Sequence, residues 1–246
     1  MSNSSLVNYT AISPYRTSPR NHAIDTITIH CMAGNFSVET CGNIFQRKGR
    51  NASSNYGIGS DGRIGLYVSE NDRSWCSSNR ANDMRAITIE VANDGGAPDW
   101  HVSDTALESL INLLVDICQR NGIQKLVYSA NKTERINHIN GCNMTLHRDF
   151  AAKACPGDYL VSKHPWIAEQ VNARLGGQPT PTPSEFPYKV KIDCDVLNVR
   201  KGPGVSYKVV MQVKKGQVYT IVAEDNGWGK LKSGAGWIYL KYTKKI

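Results

Sequence analysis

A nine-residue segment in the last third of this 246-residue chain constrains its fold most strongly. Residues 176–184 read GGQPTPTPS and contain no side chain suited to a hydrophobic core. Each proline fixes its backbone φ angle and removes a hydrogen-bond donor, so the segment favours an extended linker over a helix or a strand. The sequence therefore predicts two domains, residues 1–175 and 188–246, joined by a Pro/Thr-rich linker over residues 176–187.

The first domain alternates strand patterns with helix patterns. Residues 25–30 (DTITIH) alternate polar and apolar side chains with the period of a half-covered strand, and residues 86–92 (AITIEVA) do the same. Ser37 can cap a helix, and Asp61-Gly62 predicts a tight hairpin. Such interleaving predicts an α/β domain with a mixed central β-sheet flanked by helices. The other predicted elements are a helix through 107–118 that ends at Gly122, a short strand at 126–129 and a last helix that begins near Pro165.

The second domain shows no helical periodicity. Short runs rich in β-branched and aromatic residues are separated by turns that contain glycine or proline, a spacing typical of a small all-β barrel or sandwich. The runs are residues 196–200, 208–213, 218–223, 228–231 and 236–240. This part is also basic: residues 176–246 contribute most of the formal net charge of +8, which favours an anionic partner.

Three further features narrow the class of protein. No apolar run approaches the ~18 residues that span a bilayer, so no membrane insertion is expected. The first residues, MSNSS, lack the charged and apolar regions of a secretory signal, so the chain is expected to be made in the cytoplasm. Seven cysteines are an odd number without a small-scaffold spacing, which predicts free or metal-bound thiols rather than a disulfide framework.

One segment has the composition of a metal site. His147 and Cys155 lie eight positions apart across a turn-forming stretch that can fold back and bring the imidazole and the thiolate to one ion. His30 ends a strand and can supply a third ligand, and Glu90 can meet it if the two strands are neighbours. Two imidazoles and one thiolate suit zinc with a position left for water. Taken singly, each of these residues is also compatible with a role outside any site, as a surface histidine, a cysteine in a turn or a solvated carboxylate. His22, His101, His138 and His164 are predicted to be surface residues.

Four ordered blocks in residues 20–165 resemble the zinc-dependent N-acetylmuramoyl-L-alanine amidases of the type-2 family, which includes peptidoglycan recognition proteins. The blocks are ITIH at 27–30 followed by MAG at 32–34, SSNYGIGSDG at 53–62, Trp75 with Asn82 and ITIE at 87–90, and His147 with Lys153 and Cys155.

The resemblance implies a role for each matching residue. His30, His147 and Cys155 would bind Zn2+, Glu90 and Lys153 would be catalytic, and Asn55, Trp75 and Asn82 would contact substrate. Ser54 stands where some relatives place a catalytic tyrosine, which favours a mechanism that relies on Glu90. Cys31 stands where many relatives have a second histidine and is not expected to be a ligand.

Residues 188–243 resemble a bacterial SH3-type cell-wall module. The landmarks are LNVRKGPG at 197–204, KKG at 214–216, NGW at 226–228 and GWI at 236–238. The resemblance implies a small SH3-like barrel whose partners are bacterial peptidoglycan and anionic wall polymers.

Together these features predict a peptidoglycan hydrolase that resembles a phage endolysin. Such a protein would be made in the host cytoplasm, reach the bacterial wall after membrane breach, and cleave the amide between N-acetylmuramic acid and L-alanine. Two other classes remain open at this point. The first is a non-catalytic peptidoglycan receptor, which the complete ligand set disfavours. The second is a nucleic-acid-binding protein, which the scattered placement of the C-terminal lysines disfavours.

Overall fold

A computed structural model describes residues 2–176, 187–205, 207–225 and 227–246. The chain divides into two compact units that meet in sequence near residue 178. The predicted linker over 176–187 lies almost wholly outside the described residues. Among the helices that are described, none is both long and apolar enough to cross a membrane.

The first unit contains eight strands and six α-helices among its described residues. The strands are β1 (Tyr9–Thr10), β2 (Arg16–Thr17), β3 (Thr26–Cys31), β4 (Tyr56–Ile58), β5 (Ile64–Leu66), β6 (Arg73–Ser74), β7 (Ala86–Val91) and β8 (Met144–Leu146). The helices are α1 (Val38–Gln46), α2 (Arg80–Arg85), α3 (Asp104–Asn121), α4 (Lys132–Ile136), α5 (His147–Phe150) and α6 (Asp158–Leu175), with a 3-10 turn at Ile139–Gly141.

The central sheet is mixed, as predicted. Its six strands run in the order β1-β5-β4-β7-β3-β8, and β2 pairs separately with β6. Strands β4, β7, β3 and β8 are mutually parallel, whereas β4 and β5 form the antiparallel hairpin predicted at Asp61-Gly62. The α/β fold class predicted from the alternating patterns is therefore confirmed.

The two faces of the sheet differ in the way that the strand alternation predicts. Ile27 and Ile29 are fully buried in the main hydrophobic core, where side chains of α3 and α6 pack. Thr28, on the opposite face of β3, shares a buried hydrogen bond with Thr145 of β8. The predicted ends of two helices are also confirmed. Ser37 caps the N-terminus of α1, and Gly122 ends α3 in the left-handed region with φ of 69°.

Two predictions for this unit are wrong: the strand at residues 126–129 and the starting point of the last helix. Residues 126–129 do not form a strand. They lie beside the start of β8, where the Val127 carbonyl accepts hydrogen bonds from the amides of Asn143 and Met144. The last helix begins at Asp158, and Pro165 lies inside it rather than at its start. A proline removes only one donor, and the packing of Ile167 and Val171 in the core outweighs that cost.

His164 is correspondingly buried in α6 and is not the surface residue that its sequence context suggests. Its Nδ1 donates to the Leu160 carbonyl at 2.5 Å, and its Nε2 has no hydrogen-bond partner among the described residues. The ring lies beside Tyr128, with the charges of Arg135, Asp149 and Arg148 nearby. Burial lowers the pKa of His164 to about 4, so the imidazole stays neutral near pH 7.

His164 should make the first unit sensitive to acid. The unfolded chain binds a proton near pH 6.5 and the native unit only near pH 4, so stability falls as the pH drops through that window. Between pH 7 and pH 4.5 the expected loss is about 2 to 3 kcal/mol. Urea unfolding at several pH values should show a flatter dependence for His164→Asn, whose amide can still donate to Leu160. The exposed control His22→Asn should behave as wild type, and an equally steep profile in His164→Asn would contradict the assignment.

The second unit is a seven-stranded, antiparallel all-β unit. Its strands are β9 (Tyr188–Ile192), β10 (Val196–Arg200), β11 (Val209–Lys214), β12 (Val218–Asp225), β13 (Trp228–Leu231), β14 (Trp237–Tyr239) and β15 (Thr243–Lys245), with a 3-10 turn at Leu240–Tyr242. The five predicted strands are present, and β9 and β15 were not predicted. These two pair with each other, and β9 also pairs with β12. A separate core surrounds Val199, Ile221 and Ile238.

Candidate metal centre

Three neighbouring parallel strands bring the candidate residues to one edge of the sheet. His30 of β3 lies directly opposite Glu90 of β7 in the register. Ile29 pairs with Leu146 of β8, so His147, the residue after Leu146, lies level with His30, the residue after Ile29. The carboxyl ends of parallel strands are the usual place for a binding site in open α/β sheets. The conditional prediction that His30 and Glu90 meet is therefore confirmed by the strand order.

His30, His147 and Cys155 form a set of donors that can hold one metal ion. Their ligand atoms all lie within 4.8 Å of one another. Cys155 Sγ lies 3.4 Å from His30 Nδ1, and the two imidazole rings have centroids 5.0 Å apart. His147 Nε2 lies 3.3 Å from Ser78 Oγ, which leaves Nδ1 of that ring for a ligand.

The protonation states of these groups fit a divalent cation. Burial, reinforced by His147, lowers the pKa of His30 well below its usual value, and burial with the charge of Lys153 lowers that of His147. Both rings are therefore neutral, as metal ligands must be. A hydrogen bond with Cys31 and burial raise the pKa of the Cys155 thiol, so it needs a cation to become a thiolate.

A short returning loop places Cys155 beside the two histidines. The Arg148 amide donates to the Cys155 carbonyl at 3.2 Å, which closes the loop between α5 and α6. The Cys31 amide donates to Cys155 Sγ at 3.5 Å, as backbone donors commonly do for a ligating sulfur. The turn predicted between His147 and Cys155 thus brings the Cys155 thiol close to the two histidines.

Glu90 lies next to this donor set in a shielded position. Its Oε2 atom is buried and has no hydrogen-bond partner among the described residues. Oε1 accepts from the Cys76 thiol at 3.9 Å. Burial, with a smaller contribution from Cys31, raises the pKa of Glu90 to about 8. A carboxyl whose pKa lies near neutral pH is suited to accept and return a proton.

Lys153 is exposed on the loop between His147 and Cys155. Its charge is close enough to contribute to the lowered pKa of His147. The lysine therefore places positive potential at the edge of the donor set, as its predicted role requires.

Two of the three residues predicted to contact substrate are instead internal. Asn55 is fully buried, and its amide is used by backbone groups that include the Val68 carbonyl and the Thr88 amide. Asn82 is also buried; it donates to Thr28 and Ser77 and accepts from Thr145. These contacts correct the prediction, because they leave both side chains inside the protein, where they fix the strands and loop beneath the donor set.

Trp75 is half-buried on the ribbon formed by β2 and β6. Its indole N–H donates to Thr17 Oγ1 at 3.0 Å, and its ring packs against Tyr15 and beneath the Arg73 guanidinium. The structure thus anchors the tryptophan within the ribbon, and its predicted contact with substrate depends on the ring surface left exposed.

Comparison with known families identifies the first unit. Residues 20–158, more than half of the chain, match the sequence model of the N-acetylmuramoyl-L-alanine amidase family. The chain belongs to this amidase family. The matched region contains every donor described above, and residues 195–244 of the second unit match the bacterial SH3 domain family.

Individual relatives of this amidase are distant or match only in part. YrvJ of Bacillus subtilis, also named as an N-acetylmuramoyl-L-alanine amidase, is 47% identical over 45 residues, which span 18% of this chain but only 9% of that relative. Among solved structures, the amidase LysC from Clostridium intestinale is 21% identical, with a TM-score of 0.46 over 69% of this chain and 95% of that one. PlyL is 14% identical, with a TM-score of 0.45 over 65% and 88%.

The residue of the amidase site that the sequence did not reveal is Cys76. With His30 and Glu90 it forms a second group of donors within 4.8 Å of one another. Its neighbour Ser77 bonds to Asp83, and Asn79 caps α2, so the loop before that helix holds the thiol in place. Only its position directly after Trp75, in one of the family blocks, could have drawn attention to it.

The SH3 unit has a separate groove with a volume of about 720 Å³. Aromatic rings line one side, with Trp228 and Tyr239 centroids 5.2 Å apart and Tyr242 next to them. Asn198 and Arg200 supply polar atoms to the lining. Lysines lie exposed elsewhere on the unit, at positions 189, 191, 201, 208, 214, 215, 230, 232, 241, 244 and 245.

Proposed function

We propose that this protein is a zinc-dependent peptidoglycan hydrolase that cleaves the amide between N-acetylmuramic acid and the L-alanine of the stem peptide. The observation that carries the proposal is the gathering of His30, His147 and Cys155 beside the shielded carboxyl of Glu90. Membership of the amidase family supports the choice of bond.

The residues present fit zinc. Two neutral imidazoles and one thiol are a donor set that zinc prefers, and three protein ligands are typical of a catalytic rather than a structural site. Zinc bound there would supply Lewis acidity, which lowers the pKa of a water to around 7 and polarises a carbonyl. His30, His147 and Cys155 would hold the ion.

The remaining chemistry belongs to Glu90 and Lys153. Glu90 accepts a proton from the attacking water and later returns it to the nitrogen of the leaving amine. This second transfer is needed because the amine is a poor leaving group unless its nitrogen is protonated. Lys153 places positive charge where the oxyanion develops, an interaction whose removal typically costs on the order of 10²–10³ in rate. Cys155→Ala is expected to lose both the ion and the activity.

The SH3 unit supports binding to the wall. We propose that its exposed lysines are attracted to anionic wall polymers and that the aromatic groove contacts peptidoglycan. Attachment raises the local concentration of the amidase unit at its substrate. The proposed setting is that of a phage or prophage endolysin, made in the host cytoplasm and released to the wall after membrane breach.

Digestion of purified sacculi tests the activity. Fragments produced with and without a chelator should be analysed by mass spectrometry together with the content of newly freed alanine amino groups. We expect the digest to contain uncleaved glycan strands that have lost their stem peptides, together with peptides that carry a free L-alanine amino group. Neither should be released after chelation. Binding to sacculi without any released product would instead favour a peptidoglycan receptor.

Removal of the SH3 unit tests wall binding. A protein that ends before residue 188 keeps the amidase core, so its metal content should equal that of the full chain. Its retention on sacculi should fall, and the retention of the full chain should decrease as salt rises because screening weakens the attraction of exposed charges. Equal retention of the two proteins at low salt would remove this role.

A further inference from the structure

The amidase site contains a second group of donors, of which only Cys76 has no part in the proposed reaction. It consists of Cys76, Glu90 and His30, with ligand atoms within 4.8 Å of one another. A thiolate, a carboxylate and an imidazole form a donor set that zinc and similar divalent ions accept. The two sets share only His30.

Two buried atoms of this group are without partners among the described residues. They are Nε2 of His30 and Oε2 of Glu90. Polar atoms buried without hydrogen bonds cost free energy, so such atoms in a native protein call for a ligand, an ion or a water. The remaining donor, the Cys76 thiol, lies 3.9 Å from Glu90 Oε1 and belongs to a half-buried residue.

The His30 ring has a second nitrogen that the contact with Cys155 does not use. Its Nδ1 faces Cys155 of the first set at 3.4 Å. Its Nε2 has no hydrogen-bond partner in the described part of the chain. An imidazole can ligate one ion through each nitrogen once the ring proton is lost to solvent. The Cys76 proton would likewise pass to solvent when the thiol binds a cation.

We propose that Cys76, Glu90 and Nε2 of His30 form a second, inhibitory metal site next to the catalytic one. An ion held there occupies the carboxylate of Glu90, which can then no longer accept a proton from water. Excess zinc should therefore inhibit this amidase through Cys76. The inhibition rests on the proposed function, whereas binding of the second ion does not.

Metal binding tests the site without reference to activity. The metal-free full chain should be titrated with Zn2+ by calorimetry and with Co2+ by absorption. Wild type should bind two equivalents, and thiolate-to-cobalt absorption should rise again with the second. Cys76→Ser should bind the second ion at least about tenfold more weakly, since even outer-shell changes cost 10–100-fold. Cys194→Ser, which removes a thiol from the SH3 unit, should match wild type.

Activity provides the second readout. Each protein is compared with itself, at one equivalent of zinc and in excess. We expect wild type and Cys194→Ser to lose activity in excess zinc, and Cys76→Ser to keep the activity that it has at one equivalent. Cys76→Ala replaces Cys76→Ser if the serine variant does not fold.

The outcomes separate the two proposals. A wild type that binds a single ion, or a Cys76→Ser protein that binds the second ion as tightly as wild type, overturns the second site and leaves the proposed function intact. A wild type that binds no ion overturns both. Two bound ions in a protein that releases no alanine would support the second site and overturn the proposed function.

Discussion

Glu90→Gln is expected to lower the rate of amide hydrolysis by about 10²–10⁴-fold, the usual contribution of a positioned acid–base group. Glutamine keeps the size of the side chain but cannot accept a proton from water at neutral pH. The metal content of the variant should equal that of wild type at one equivalent, because Glu90 is not part of the His30, His147 and Cys155 set. Release of alanine amino groups and zinc analysis of the same sample measure both quantities.

A matched control separates this effect from general damage. Glu39→Gln changes an exposed carboxylate that pairs with Arg63 at 2.6 Å on the surface of α1. Exposed pairs contribute little to stability, so this variant should fold and hydrolyse as wild type does. The assignment of Glu90 as the base would be wrong if Glu90→Gln turned over sacculi as fast as the control.

The strand alternation in the sequence predicted that His30 and Glu90 can meet, provided that their two strands are neighbours. Thr28 and His30 share one face of β3 and the isoleucines the other, and the same period in β7 turns Glu90 the same way as His30. Because parallel strands align their carboxyl ends, one correct choice of neighbours fixed the meeting of these residues. The proximity of Cys155 to His147 was predicted separately, from the turn-forming residues in the segment after His147.

Side chains whose position depends on tertiary contacts were not predictable in this way. Cys76 lies on an irregular loop, and its approach to Glu90 depends on the bond between Ser77 and Asp83. Asn55 resembled a substrate contact by its place in a family block, yet its amide completes the backbone bonding between β4, β7 and the loop after β5. A spacing rule carries no information on such long-range hydrogen bonds.

The position of α6 shows the same limit for local signals. Pro165 is typical of a helix start, but the helix begins seven residues earlier because the core contacts of its apolar face decide its extent. His164 is consequently turned inward, next to the pair formed by Arg135 and Asp149. Local propensity predicted that a helix exists there, and packing determined where it begins.

The pair of Arg135 and Asp149 is the buried support beneath His147. Both side chains are almost fully buried, and Asp149 accepts from Arg135 Nε at 2.9 Å and Nη2 at 2.6 Å. The same carboxylate accepts from the Leu146 amide at 2.9 Å, at the last residue of β8 before His147. The interaction therefore fixes the step from strand to helix that presents the imidazole to the donor set.

Asp149→Asn should lower the free energy of unfolding of the amidase unit by about 3–5 kcal/mol, because it leaves the Arg135 charge buried without compensation. Far-UV circular dichroism during urea unfolding reports on this unit, since the α-helices of the described chain all lie in it. Asp25→Asn, which breaks a half-exposed pair with Arg85, should cost at most about 1 kcal/mol. Adding Arg135→Met to Asp149→Asn should recover part of the loss, because the unpaired charge is then gone. A cost for Asp149→Asn no larger than that of the Asp25 control, with unchanged zinc affinity, would show that the pair does not support His147.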